Sequence, residues 1–189
     1  MNDDYTEQTL VEQPAIELFK ELGYETANCF YEQIGENSTL GRQTTQEVVL
    51  VPRLRSALQK LNQNLSEDTI ESAIEELVKD RSALHPVVAN REVYRLLKNG
   101  VRIAVTTPHG DQETETVGVI DWNNPQNNDF FLASQFWVSG EMYKRRVDLL
   151  GFVNGLPLIL VELKATHKRL ENAYRNNICL LYTSPSPRD

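Results

Sequence analysis

Asp148, Glu162 and Lys164 are the residues of this chain whose types and spacing could do chemistry. Each stands in an apolar run, Val147–Val153 on one side and Leu156–Lys164 on the other. Charge in an apolar strand is costly unless it is paired or bound to a metal. Mg²⁺ takes oxygen ligands, commonly one or two carboxylates together with waters and phosphate oxygens. Asp148 and Glu162 are candidate ligands on that ground, with the Leu163 backbone carbonyl as a further oxygen. A metal so held lowers the pKa of a bound water and stabilises charge on a scissile phosphate. Lys164 would position that water or stabilise the developing negative charge. This is the chemistry of a divalent-metal nuclease. The competing reading is a structural ion pair of Lys164 with Asp148 or Glu162 at a sheet edge. For a bare Asp…Glu-x-Lys, a short pattern, that reading would win, and it is the placement on two apolar strands of a hairpin that favours the functional one.

The elements that must position these groups are two strands joined at Asn154-Gly155, a strong short hairpin signal. Side chains alternate along a strand, so Glu162 and Lys164 share a face, and register decides whether Asp148 joins them. A strict two-residue turn pairs Val153 with Leu156, sets Asp148 opposite Val161 and puts the two carboxylates on opposite faces. A three-residue loop over Asn154–Leu156 pairs Val153 with Pro157 and sets Asp148 opposite Glu162. A metal site therefore predicts the odd-length loop or an equivalent bulge.

Upstream, residues 7–22 have apolar positions at helical spacing and are stopped by Gly23, with Pro14 marking a kink or a start near Gln13. A short strand is expected at Glu25–Phe30, then a polar loop. Helices are expected at 45–63, interrupted or started near Pro52, from the Ser66 cap to about Asp80, and from Pro86 to Lys98, closed by Asn99-Gly100. The pattern then changes to strands at Val101–Thr107, Thr114–Asp121, Phe130–Ser139, Lys144–Val153 and Leu158–Lys164, read as an antiparallel meander. Residues 165–178 read as helical. The expectation is an α/β (α+β) fold, a mixed sheet with a central antiparallel hairpin flanked by helices. Trp122 and Trp137, with Phe130, Phe131 and Phe136, are expected mostly in the core, base stacking being the lesser reading. His85 reads as a cap or loop residue, His109 as part of a turn.

The 189 residues suffice for a sizeable domain core, and the 40% hydrophobic and 24% charged content is that of a globular chain. No stretch approaches the length of a membrane span, and the acidic start has no secretory signal, so no membrane partner and a cytoplasmic setting are expected. Cys29 and Cys179 are too far apart in sequence for a metal-ligand motif. The net charge of −8 argues against nucleic acid, but its distribution qualifies that. Residues 141–176 hold Lys144, Arg145, Arg146, Lys164, Lys168, Arg169 and Arg175 against four acidic residues. The one basic segment thus surrounds the candidate site, and phosphate binding needs local rather than global charge. Lys144, Arg145, Arg146, Lys168 and Arg169 are candidate DNA contacts; protection of a strand edge by Lys and Arg is the alternative.

The run Arg146–Lys164 resembles the nuclease motif of the restriction (R) subunit of type I restriction-modification enzymes, a branch of the PD-(D/E)xK superfamily. The helix from Glu12 to the Leu22-Gly23-Tyr24 end, and the segment Asn90-Arg91 to Gly100-Val101, resemble that family too, so residues 5–178 are covered. The resemblance implies a restriction-endonuclease-like fold and a Mg²⁺-dependent cleavage of double-stranded DNA. It implies Asp148 and Glu162 as metal ligands and Lys164 as the catalytic lysine. Glu12 takes the place of the acidic residue that many superfamily members carry on helix one. A solvated helix carboxylate is an alternative of at least equal weight, and Glu7 is a weaker candidate for that place. The family acts with modification and specificity subunits, and complete R subunits use ATP in a translocase. This chain has no phosphate-loop motif, so ATP binding would belong to a missing remainder. A non-catalytic module docking on DNA or on partner subunits, and a standalone PD-(D/E)xK nuclease, are the alternatives.

Residues 179–189 break the pattern and look like a transposase sequencing adapter translated in frame. The endonuclease domain is therefore expected over 1–178, in a protein that continues past Ile178, and 179–189 receive no fold or function.

Overall fold

A computed structural model describes residues 11–106, 110–140 and 143–163. Helix α1 spans Gln13–Glu21, with Pro14 in its first turn, where a missing N–H is harmless. Its end is a Schellman motif. Gly23 takes φ +90°, its N–H donates to Lys20 O, and the Tyr24 N–H donates to Phe19 O. The accompanying apolar contact is the edge-to-face pair Phe19–Tyr24, at 5.0 Å between ring centres. Strand β1, Glu25–Asn28, follows at once.

Helix α2, Val51–Leu61, starts at its Pro rather than at residue 45, since residues 45–50 are not helical. Helix α3, Glu67–Val78, is capped by Ser66, whose Oγ accepts from the Thr69 N–H at 3.1 Å, with Glu67 and Asp68 in the first turn. Helix α4, Pro86–Asn99, is capped by His85, whose Nδ1 accepts from the Val87 N–H at 3.3 Å.

The expected single meander divides into two sheets. Strands β2, Val101–Thr106, and β3, Gln112–Val117, form an antiparallel pair of their own. Strand β3 starts two residues before and ends four residues before the expected Thr114–Asp121, because its register pairs Thr106 with Gln112 and Val101 with Val117. Beyond it, the Gly118 N–H and C=O are satisfied by the Asn62 side chain at 2.8 and 2.9 Å rather than by a strand. The second sheet has order β1-β4-β5-β6, with β4 at Phe130–Ser139, β5 at Lys144–Val153 and β6 at Leu156–Val161. β1 runs parallel to β4, Glu25 opposite Phe131 and Asn28 opposite Ser134. The short connections 140–143 and 154–155 make the other neighbours antiparallel, so this sheet is mixed. The protein is thus a mixed α/β fold of helices and a mixed sheet.

The chain forms two compact units. One takes 1–48, 130–152 and 157–189, and so holds α1 and the four-stranded sheet. Its core contains Phe131, Phe136 and Phe152, the first two each in ring contact with Phe152. The other takes 49–129 and the hairpin tip 153–156. Its core packs Leu54, Leu58, Ile70, Ile74, Leu77, Val101 and Val117, each such burial contributing about 1.5–3 kcal/mol. Phe131 and Phe136 are core aromatics as expected, whereas Trp122 is 61% exposed, its indole N–H donating to Leu97 O at 3.1 Å. Among the described residues no helix is long and apolar enough to cross a membrane.

Candidate nuclease centre on the β5–β6 hairpin

Asn154 and Gly155 form the hairpin turn at φ +51° and +76°, both positive as a two-residue type I′ connection needs. The three-residue loop is therefore not what forms. Asn154 is buried and fully engaged. Its Nδ2 donates to Val119 O at 2.8 Å and Asn128 Oδ1 at 2.9 Å, and its Oδ1 accepts from the Asp129 N–H at 2.7 Å.

The register nevertheless slips. A Cβ placed on Gly151 would lie 3.1 Å from Ile159 Cβ, so Gly151 and Ile159 face each other on one side of the sheet. Continued strictly from the turn, Gly151 would face Leu158 and Ile159 would point the other way. One extra residue on the β6 side between the turn and this pair, a β-bulge, accounts for the change. Continued three residues further, that register would set Asp148 opposite Glu162. Asp148 Oδ2 accepts from the Leu163 N–H at 2.8 Å, which turns the Leu163 backbone toward the aspartate. Lys164 lies outside the described residues, as do Glu7, Lys168, Arg169, His109 and the 165–178 segment.

Glu12 stands at the start of α1, buried rather than solvated, and its Oε2 accepts from Gln135 Nε2 at 2.8 Å. Gln135 adopts φ +56° within β4, the strand beside β5. Nothing in the sequence marks this glutamine, because its partner is 123 residues away. Among the described residues no group of three or more His, Cys, Asp or Glu side chains could hold a metal ion. A pair of carboxylates with a backbone oxygen is what remains, and that donor set suits Mg²⁺, which keeps much of its water.

Lys144, Arg145 and Arg146 are all exposed. Alternation along β5 puts Lys144 and Arg146 on the face that carries Asp148. Lys144 Nζ lies 4.8 Å from the centre of the Trp137 ring, and the Arg146 guanidinium lies 5.7 Å from Trp137 and 5.1 Å from Phe30.

A second polar cluster escaped the sequence reading. Arg42 is 1% exposed and donates to Glu32 Oε2 at 2.7 Å, Glu47 O at 2.7 Å, Trp137 O at 2.8 Å and Thr45 O at 3.1 Å. Its guanidinium also lies 4.0 Å from the centre of the Phe136 ring. Burial raises the Glu32 carboxyl against the opposing pull of Arg42, and lowers Arg42 against the pull of Glu32. Burial, helped by the Glu32 charge and opposed by Arg42, pushes the neighbouring Cys29 thiol up to about 12. These groups hold the fold; a guanidinium keeps its proton, and a thiol so raised is no nucleophile near neutral pH.

The fold and the hairpin define a class, a mixed α/β domain with an acidic residue, Asp148, on a central strand and the basic residues Arg146 and Lys144 two and four positions before it on the same strand. Residues 4–180 match the family of the type I restriction enzyme R protein N terminus, and the chain belongs to that family. It is 40% identical over 119 residues to the type I restriction enzyme HindI endonuclease subunit of Haemophilus influenzae, a match covering 62% of this chain and 11% of that protein. It is 29% identical over 170 residues to the putative MjaIXP endonuclease subunit of Methanocaldococcus jannaschii, covering 87% of this chain and 15% of that protein. The matched regions are thus a small fraction of the relatives' length.

Proposed function

We propose that this chain is the Mg²⁺-dependent DNA endonuclease domain of a type I restriction enzyme R subunit, built on the PD-(D/E)xK plan. The observation that supports the reading is the hydrogen bond from the Leu163 N–H to Asp148 across the hairpin, next to Glu162 in sequence, in a chain of this family. Asp148, Glu162 and the Leu163 carbonyl would hold the ion, which when bound supplies a lowered water pKa and charge stabilisation at the phosphate. Lys164 donates a hydrogen bond to the attacking water or to the phosphate oxygen as negative charge grows there. Hydrolysis then forms one phosphorus–oxygen bond and breaks another. Glu12, fixed by Gln135, adds negative charge beside the site. Lys144, Arg145 and Arg146, with Lys168 and Arg169, guide the DNA backbone toward it. The modification and specificity subunits are the partners, ATP belongs to the motor part of the whole protein, and the setting is the prokaryotic cytoplasm.

The test uses Asp148→Asn and Lys164→Ala in the intact R subunit, assembled with its partner subunits and supplied with Mg²⁺, ATP and plasmid DNA. Asp148→Asn keeps an oxygen for the Leu163 N–H and removes the charge. Both variants are expected to assemble normally on gel filtration and to lose at least about a hundredfold in cleavage rate, of the order that lost electrostatic stabilisation costs. Assembly with undiminished cleavage would exclude a nuclease centre at these residues and leave a docking module.

A further inference from the structure

The turn after β1 is built against its own chemistry. The Glu32 N–H donates to Cys29 O at 3.1 Å, so Phe30 and Tyr31 are its two central residues. Such positions favour Gly, Pro, Asn and Asp, for reasons of φ and local hydrogen bonding. Here they carry two aromatic rings, in edge contact with each other at 4.7 Å, and Tyr31 is 88% exposed. Folding gains little from a ring in water, so its placement calls for another reason.

The turn is also held rigidly. The Cys29 N–H donates to Ser134 O at 2.8 Å, and Glu32 is fixed by the buried Arg42. The Trp137 indole N–H reaches Phe30 O at 3.3 Å. Lys144 and Arg146 stand over the rings of Trp137 and Phe30. Aromatic faces for bases beside cations for phosphates are what single-stranded nucleic acid requires, whereas a duplex keeps its base faces stacked inside.

We propose that Phe30, Tyr31 and Trp137, with Lys144 and Arg146, form a binding surface for an unpaired DNA strand, Tyr31 stacking on a base while the two cations contact the phosphates. The proposal rests on the reading that the chain acts on DNA. It adds that the surface beside the candidate centre takes hold of a strand rather than a duplex.

The test is fluorescence anisotropy of the 189-residue chain with a labelled 20-nucleotide oligo(dT) and with a labelled 20-base-pair duplex, at low salt and with EDTA so that nothing is cut. The chain is expected to bind oligo(dT) more tightly than the duplex. Tyr31→Ala is expected to lose at least about fivefold more affinity for oligo(dT) than for the duplex, as loss of one stacked base would give. Tyr31→Phe restores the affinity because the ring face remains. Arg146→Gln weakens both ligands. Equal or tighter binding of the duplex, indifference of oligo(dT) to Tyr31→Ala, or binding of neither ligand overturns the proposal. Because the assay needs no metal, its failure is separate from that of the cleavage reading, which Asp148→Asn tests.

Discussion

Charge inside apolar surroundings has opposite outcomes at different residues of this chain. Asp148 was conspicuous in the sequence because its neighbours are Val147, Leu149 and Leu150, and it lies with an oxygen on the Leu163 amide. Arg42 was not, because the polar loop around it gave no sign that its partners would include Trp137, 95 residues away. Removing one member of such a buried pair typically costs about 3–5 kcal/mol, which suits a structural role. Cys29 belongs to the same cluster and yields a residue-scale prediction. With its folded pKa near 12 and an unfolded value near 8.5, the folded state binds the proton more tightly. Its contribution to stability is therefore complete below about pH 8.5 and is lost as pH rises toward 12. In a Cys179→Ser background, native protein at pH 8 is expected to leave Cys29 unmodified by a thiol reagent, and protein unfolded in guanidinium to react fully. Rapid labelling of the native protein would contradict the buried placement.

Elements were legible where a local device fixes them. Ser66, His85 and Gly23 each end or begin a helix through dihedral angles and hydrogen bonds made within a few residues. Strands β4 and β5 match the expected Phe130–Ser139 and Lys144–Val153. Boundaries failed where a distant partner sets them, as with β3, whose end is decided by Asn62, and β6, which starts at Leu156 because the turn is short. The hairpin supplies the prediction at this scale. A Cβ on Gly155 would sit 2.6 Å from both Leu50 O and Leu54 N, at a φ of +76°. Gly155→Ala is expected to destabilise the chain by about 2 kcal/mol or more, lowering the melting temperature by on the order of 5 °C. An unchanged melting temperature would mean that the turn is free to shift and does not fix the strands beyond it.

At the scale of the whole molecule, charge is segregated. The chain carries net −8, yet Lys144, Arg145 and Arg146 stand together at the start of β5. If DNA is held as proposed, through a local cationic cluster on an acidic molecule, binding must depend strongly on salt. In the strand-binding assay, the logarithm of affinity is expected to fall linearly with the logarithm of salt concentration. Lys144→Ala is expected to reduce that slope by about 0.7, one phosphate contact on a single strand. A slope that Lys144→Ala leaves untouched would remove this residue from the DNA path. The basic cluster itself was readable from composition, but not its pairing with aromatic rings. Trp137 was expected in the core and Phe30 at the end of a strand, and the turn at Cys29–Glu32 decided otherwise.

The sequence by itself determined the hairpin, its Asn-Gly turn and the presence of charge in apolar strands, because these are written in side-chain type and in dihedral preferences of adjacent residues. It also left one question open in a definite form, whether Asp148 and Glu162 share a face. Its answer depends on tertiary packing. The turn formed with two residues, and beyond it Gly151 and Ile159 come onto one side of the sheet, where the absent Cβ of the glycine lets the opposing side chain close in. The link from Glu12 to Gln135 is of the same kind. Register and long-range pairing arise from contacts between segments far apart in the chain, and no local pattern carries them.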